Sequence, residues 1–181
     1  MQKLTLLFML TFWGLAAFGQ EDHRAAQIHS STHEETFKNF RLAVLIGHTS
    51  VPSRENPDHL FIPSWGLDLE YWFSRKFGLG IHNDIELQSF LIEENHEMTL
   101  EREYPLVLTL DLLYKPVGDL VLLAGPGYEL EKMEDYKLIR FGVEYEFEFG
   151  NHWDISPTIF YDTRMDAYDT WSIALGVGKR F

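Results

Sequence analysis

Residues 136–150 of the chain have the sequence YKLIRFGVEYEFEFG, in which two kinds of position alternate. The apolar positions are Ile139, Phe141, Val143, Tyr145, Phe147 and Phe149, and the charged or glycine positions are Arg140, Gly142, Glu144, Glu146 and Glu148. A period of two places these sets on opposite faces of an extended strand. A face that remains apolar over six positions lies against either a large core or lipid.

Strand-like segments fill the rest of the chain from residue 40 onward. Together with residues 136–149, we assign strands to residues 40–49, 64–73, 77–89, 104–114, 120–130, 153–161 and 170–181. No segment of helical length and period separates them, so eight strands without crossover helices predict an antiparallel meander. The connections alternate between tight turns at 74–76, 115–119 and 150–152 and longer, more charged ones at 50–63, 92–103, 131–135 and 162–169.

The bulk of the two faces indicates which one is inside. An eight-stranded barrel has an interior just wide enough to be filled by side chains. The apolar set, rich in Trp, Tyr, Phe and Leu, is too large for that space. The other set mixes charged residues with glycines, and small residues alternating with large ones fill a narrow interior. The sequence therefore predicts an all-β fold, an eight-stranded antiparallel up-and-down transmembrane β-barrel with its apolar face toward lipid.

The two ends of the chain predict where the protein resides. Residues 1–19 have a basic residue, an apolar run and small residues at the end, which predicts a signal peptide. Residues 20–39 are polar and predict a periplasmic tail, and residues 40–181 form the barrel domain. Short periplasmic turns and longer external loops are the rule in outer-membrane barrels, so both termini are expected in the periplasm. The net charge of −13 argues against nucleic acid as a partner.

Two phrases of the sequence carry a resemblance to a known family. They are residues 65–73, WGLDLEYWF, and residues 176–181, GVGKRF. They resemble small outer-membrane β-barrel proteins of diderm bacteria, and more narrowly an uncharacterised branch with a porin-like fold. The resemblance implies that the barrel assembly machinery recognises Phe181. We expect a monomer that contacts outer-membrane lipid. Lys179 departs from the family pattern, which has an apolar residue at that position.

The inward face predicted by parity contains eleven carboxylates but only five lysines and arginines. The carboxylates are Asp68, Glu70, Asp84, Glu86, Asp111, Glu129, Glu144, Glu146, Glu148, Asp154 and Asp162; the cations are Arg41, Lys115, Arg140, Arg164 and Arg180. Buried charges persist only when they are paired, hydrogen-bonded or neutralised. We expect Glu129, Glu148, Asp154 and Asp162 near the mouths in contact with water, and the remaining acids in the middle near Arg140 and His82.

Three hypotheses account for this acidic interior. The first is a packed polar network in a protein with a structural or interaction role at the cell envelope, without catalysis or a cofactor. The second is a divalent-cation site formed by His82, Asp84 and Glu86, joined by Glu70 or Asp68. The third is an enzyme of the hydrolase or acyltransferase class acting on envelope lipids.

The enzyme hypothesis assigns its roles to few residues. His82 would be the general base, oriented by Asp84 or Glu86, with Ser156 or Ser172 as nucleophile. No G-x-S-x-G motif is present. A transport pore is disfavoured because eight strands leave no aqueous channel. The first hypothesis is therefore preferred.

Overall fold

A computed structural model describes residues 37–52, 60–94, 98–132, 134–165 and 167–181. The predicted signal peptide and most of the predicted tail, residues 1–36, lie outside the described residues. No helix long and apolar enough to cross a bilayer occurs in the part of the chain that is described.

Every secondary-structure element in the described ranges is a β-strand. The strands are β1 Phe40–Val51, β2 Leu60–Trp72, β3 Phe77–Glu86, β4 Phe90–Glu94, β5 Met98–Arg102, β6 Leu106–Tyr114, β7 Leu120–Leu130, β8 Tyr136–Tyr145, β9 Phe147–Phe149, β10 Trp153–Arg164 and β11 Asp169–Arg180. In the main sheet each strand pairs antiparallel with its neighbours, and β11 pairs back with β1. Because β8 and β9 are two parts of one strand, the result is the predicted closed eight-stranded barrel.

The division between β8 and β9 has a local cause. Pairing of β8 with β10 runs as far as Glu144 opposite Thr158, and β9 resumes it with Phe147 opposite Ile155. Between these pairs lies Pro157, which has no amide hydrogen to donate to the ladder. The backbone amide of Glu146 instead donates to the carbonyl of Asp119 on the other side, at 3.0 Å.

The longer connections differ from the sequence prediction. Residues 92–103 were expected to form a loop, but most of them belong to a separate hairpin in which Phe90 pairs with Arg102 and Glu94 with Met98. Strand β10 continues to Arg164, and β2 begins at Leu60. The strands at this end of the barrel are therefore longer than predicted, and the pairing of β1 with β2 continues to Val51 opposite Leu60.

The two faces of the wall have opposite chemistry. On β8, Phe141 is 51% exposed on the outside, whereas Glu144 is 3% exposed on the inside. The same alternation runs along every long strand of the barrel. The outer surface is consequently an almost unbroken apolar belt, and the charged side chains are directed into the interior.

Glycines make room for large polar side chains inside this narrow barrel. A Cβ atom at Gly178 would lie 2.7 Å from both Arg41 Nε and Asp154 Oδ1. A Cβ atom at Gly80 would lie 2.5 Å from His82 Nε2. Inside the barrel, glycines thus alternate with residues that have long side chains, as expected for the narrow interior of an eight-stranded barrel.

Candidate functional site in the barrel interior

The interior near the tight turns is organised around Arg41. This fully buried side chain on β1 forms an ion pair with Glu70 of the neighbouring strand and another with Glu144 Oε1 at 2.8 Å. Its Nη2 and Nε donate to the two oxygens of Asp154 at 2.6 and 3.0 Å, and Nη2 also donates to Ser156 Oγ at 2.9 Å. One guanidinium therefore neutralises carboxylates from three other strands.

Glu146 has a second set of cations. It forms an ion pair with Lys115 and accepts from Arg180 Nη2 at 2.6 Å. Both cations also lie over the ring of Trp72, at 4.7 and 5.3 Å from its centroid. The indole Nε1 of Trp72 donates to Glu70 at 2.6 Å, which joins this cluster to that of Arg41.

One group of potential metal ligands comes together at this level. Atoms of Glu70, Glu144 and Glu146 lie within 4.8 Å of one another. The guanidinium of Arg41 lies among them, paired with Glu70 and Glu144 and 3.9 Å from Glu146 Oε1. A fixed cation of the protein already provides the positive charge that these carboxylates require.

The middle of the barrel contains a separate cluster. Arg140 donates to both oxygens of Asp162 at 2.7 Å, and its Nη1 is 2.5 Å from Asp84 Oδ2. His82 Nδ1 is 2.7 Å from Asp111 Oδ2, which also accepts from Thr109 Oγ1 at 2.6 Å.

The mouth of the barrel at the end opposite the tight turns is closed by a third cluster. Glu129 is 0% exposed and pairs with Arg102 of the hairpin and with Arg164 of β10. The hydroxyl of Tyr168 donates to both Glu129 oxygens, at 2.8 and 3.0 Å. Burial raises the pKa of Tyr168 well above its ordinary value, and the adjacent Glu129 raises it further, so the phenol remains a donor.

Apolar side chains complete this closure. Val51, Ile62, Phe90, Tyr136 and Tyr168 form a buried cluster in which Phe90 comes from the hairpin. Phe90 and Arg102 are paired residues at the base of the hairpin. Phe90 and Arg102 thus fasten the base of the hairpin to the mouth.

The expected exposure of four carboxylates is wrong for three of them. Glu129, Asp154 and Asp162 are at most 2% exposed, whereas Glu148 is exposed as expected. Each of the three has an arginine partner, and such a partner removes the need for water. For Glu129, the partner Arg102 lies in a segment that was expected to be a loop.

The predicted site residues are divided among these clusters. His82 and Asp68 are directly opposite each other on β3 and β2. Asp84 is paired with Arg140, and Glu70 with Arg41. Glu86 is buried at the end of β3, and its Oε2 has no hydrogen-bond partner among the described residues. His82, Asp84 and Glu86 do not form a set of three ligand atoms within 4.8 Å in that part of the chain.

The proposed nucleophiles lie apart from His82. Ser156 accepts a hydrogen bond from Arg41, and Ser172 shares one with Thr49 at 3.0 Å. Within the described ranges, His82 has one hydrogen bond, and its partner is Asp111. The structure does not bring together the base and nucleophile that the enzyme hypothesis requires.

Three important interior residues were missed by the sequence analysis. Trp72 faces inward by parity, and the alternation of β2 could have identified it. Arg102 and Tyr168 lie in segments expected to be loops, and no local pattern marks either as buried. Phe181, the expected assembly signal, has an exposed ring, and its amide donates to the carbonyl of Phe40 at 2.8 Å.

No family model matches the chain, and no curated protein sequence matches it. Its fold does match solved barrels. Ail, the attachment invasion locus protein of Yersinia pestis, in complex with the heparin analogue sucrose octasulfate, matches with a TM-score of 0.56 and 14% identity, over 80% of this chain and 100% of that one. The N-terminal β-barrel domain of Pseudomonas aeruginosa OprF gives a TM-score of 0.52 and 10% identity, over 78% and 97% of the two chains.

The outer membrane protein OprG from Pseudomonas aeruginosa gives a TM-score of 0.51 and 14% identity, over 80% of this chain and 97% of that chain. At such identities the likeness is one of fold. It confirms the predicted resemblance to small eight-stranded outer-membrane barrels, and it supports an integral outer-membrane barrel.

Proposed function

We propose that the protein is an integral outer-membrane barrel with a structural or interaction role at the cell envelope and a sealed, acid-rich polar interior. The closure around Glu129 is the observation that carries this proposal. A conducting barrel needs a continuous water path, whereas here Arg102, Arg164 and Tyr168 meet on one buried carboxylate at the outer mouth. The network of Arg41 occupies the opposite half of the interior.

Conductance measurements test the sealed interior. Purified protein reconstituted in planar bilayers is expected to give no stepwise conductance at neutral pH. A porin reconstituted from the same detergent is the positive control. Reproducible single-channel steps that depend on the amount of protein would contradict a sealed interior.

The apolar belt supports insertion in a bilayer. Side chains such as Ile46 and Leu110 are more than half exposed, and contiguous apolar surface of this extent is rare on proteins that are surrounded by water. We expect the protein in the outer-membrane fraction, with extraction requiring detergent. Release of the protein by alkaline carbonate without detergent would overturn the assignment.

Turn length supports a periplasmic position for both termini. An epitope inserted after Lys132 is expected to bind antibody on intact cells, whereas one inserted after Arg75, in a tight turn, is expected to bind only after permeabilisation. The opposite labelling pattern would reverse the orientation. The proposed partners are outer-membrane lipid and, during assembly, the barrel assembly machinery acting on a monomer.

The charge of the external segments bears on the kind of partner. Residues 90–105 contain five glutamates and one arginine, and that arginine is Arg102, which is already paired with Glu129. Sucrose octasulfate, the ligand of Ail, is a polyanion. Like charges repel at this face, so we propose that this chain does not share that ligand class. Calorimetric titration with sucrose octasulfate at low salt is expected to give no binding, and saturable heat would refute this.

A further inference from the structure

The imidazole of His82 is held from one side only. Its Nδ1 is 2.7 Å from Asp111 Oδ2, and Thr109 donates to the same oxygen at 2.6 Å. When the imidazole is neutral, a carboxylate that accepts from Nδ1–H fixes the tautomer, and Nε2 then carries the free lone pair. Proteins use this carboxylate–histidine arrangement to orient histidine ligands of metal ions.

The other ring nitrogen has no partner. His82 is 1% exposed, and its Nε2 makes no hydrogen bond within the described ranges. The ring packs against residue 80, where only glycine fits, since a Cβ there would lie 2.5 Å from Nε2 and 2.8 Å from Cε1. A buried ring nitrogen that the described part of the protein leaves without a hydrogen-bond partner is a position for a ligand.

Asp68 faces His82 across the pair of strands β2 and β3. The two residues are directly opposite each other, and Asp68 is also 1% exposed. Its Oδ1 has no hydrogen-bond partner, and no lysine or arginine of the described segments forms an ion pair with it. The two side chains interact electrostatically but do not form a hydrogen bond with each other.

Most of the carboxylates inside the barrel have an arginine partner, whereas Asp68 has none within the described ranges. Glu70, Glu144 and Asp154 share Arg41; Asp84 and Asp162 share Arg140; Glu129 has Arg102 and Arg164. A buried carboxylate without a cation is costly. Asp68 Oδ1 and His82 Nε2 thus belong to facing residues, and neither atom makes a hydrogen bond in the described part of the chain.

We propose that His82 Nε2 and Asp68 together bind a divalent transition-metal ion of the zinc class. Nε2 is the nitrogen ligand, the Asp68 carboxylate is the oxygen ligand, and water completes the coordination. Imidazole together with carboxylate favours this class over magnesium or calcium. The proposed ligand pair leaves out Asp84 and Glu86, which the sequence grouped with His82. Asp84 is paired with Arg140, and Glu86 lies two residues beyond Asp84 on β3.

Because the outer mouth is closed, the ion is loaded during folding. The test therefore refolds the mature chain from urea into detergent with Co²⁺, which replaces zinc-class ions and absorbs visible light when bound. After a wash with chelator, about one equivalent of Co²⁺ with a ligand-field band is expected. Release by unfolding in urea with chelator shows that the ion was inside the fold. A refolded wild-type protein that retains no Co²⁺ overturns the proposal.

Variants assign the ligands. His82→Gln and Asp68→Asn are expected to retain less than a tenth of the wild-type Co²⁺, and Asp111→Asn to weaken binding about 10–100-fold through loss of the orienting carboxylate. His152→Gln, at a partly exposed histidine in a periplasmic turn, is the matched control and should retain the full equivalent. Retention of Co²⁺ by a folded His82→Gln, Asp68→Asn double variant overturns the site. Heat modifiability on gels verifies folding, and the wild-type stoichiometry remains decisive if a variant does not fold.

Discussion

Replacement of Arg41 by methionine is expected to destabilise the barrel more than any other single loss of charge. Methionine keeps most of the length and apolar volume of the side chain but removes the guanidinium. Glu70, Glu144 and Asp154, all buried, then lose their shared cation. The barrel wall and the apolar belt are unchanged, so the perturbation isolates the interior network.

The magnitude follows from the number of contacts. Removal of one partner from a buried ion pair typically costs 3–5 kcal/mol, because an uncompensated charge is left behind. Arg41 has three buried carboxylate partners within 3.0 Å or less, so we expect the upper end, about 5 kcal/mol. Such a loss lowers the folding equilibrium constant more than a thousandfold.

Urea unfolding of protein reconstituted in thin lipid vesicles, followed by tryptophan fluorescence, measures this loss. Lys132→Met is the matched control, because Lys132 also pairs with a carboxylate, Glu103 at 2.6 Å, but its side chain is 74% exposed. Its unfolding midpoint should equal that of the wild type. If Arg41→Met is also indistinguishable from the wild type, the interior ion pairs do not hold the barrel together.

Three further outcomes are expected. In Arg41→Met, Glu70 and Glu144 lose their shared cation, while their ligand atoms still lie within 4.8 Å of each other and of Glu146, so millimolar Ca²⁺ during refolding should recover part of the lost stability, whereas the wild type should not respond. Glu129→Gln removes the carboxylate that Arg102 and Arg164 share, which should cost about 3 kcal/mol and accelerate amide exchange at Phe90 and Arg102. Unchanged exchange at these two residues would show that the hairpin is held by other contacts. Gly178→Ala places a Cβ 2.7 Å from Arg41 Nε and Asp154 and should cost about 1–3 kcal/mol in urea unfolding. Gly150→Ala, whose Cβ would have no atom within 4 Å, should leave the stability unchanged, and equal unfolding midpoints for the two variants would contradict the tight fit at Gly178.

Alternation along the strands was sufficient to predict the barrel and its two faces. Phe141 and Glu144 differ in exposure as their parity requires, because successive side chains on a strand point to opposite faces. Turn residues such as those at 115–119 were also local enough to be recognised. Fold class, strand number and the direction of each face therefore follow from short-range patterns.

Partner assignments inside the barrel were not predictable in the same way. His82, Asp84 and Glu86 share a face, but residues two apart on a strand are separated by about 6.6 Å along it. A site in a barrel is instead built from cross-strand neighbours, and these depend on register. Asp111 and Asp68 therefore matter to His82 more than Asp84 does, which no pattern within β3 could reveal.

The mouth opposite the tight turns shows a second limit of local patterns. Glu129 was expected in water because it lies near the end of β7, but Arg102 and Tyr168 come from distant segments to cover it. Their side chains carry no periodic signal of burial. Contacts between residues so far apart in the sequence can be identified only from the folded structure.

The β4–β5 hairpin has a base that is anchored to the barrel and a tip that is expected to be replaceable. Phe90 and Arg102 are committed to the barrel, whereas the barrel strands do not pair with residues 91–94 and 98–101. We therefore expect that exchange of the sequence between these two anchors, by drift or by laboratory grafting, leaves the strand pairing of the barrel wall intact. The protein is therefore suited as a carrier on which foreign peptides are presented from a fixed, rigid base.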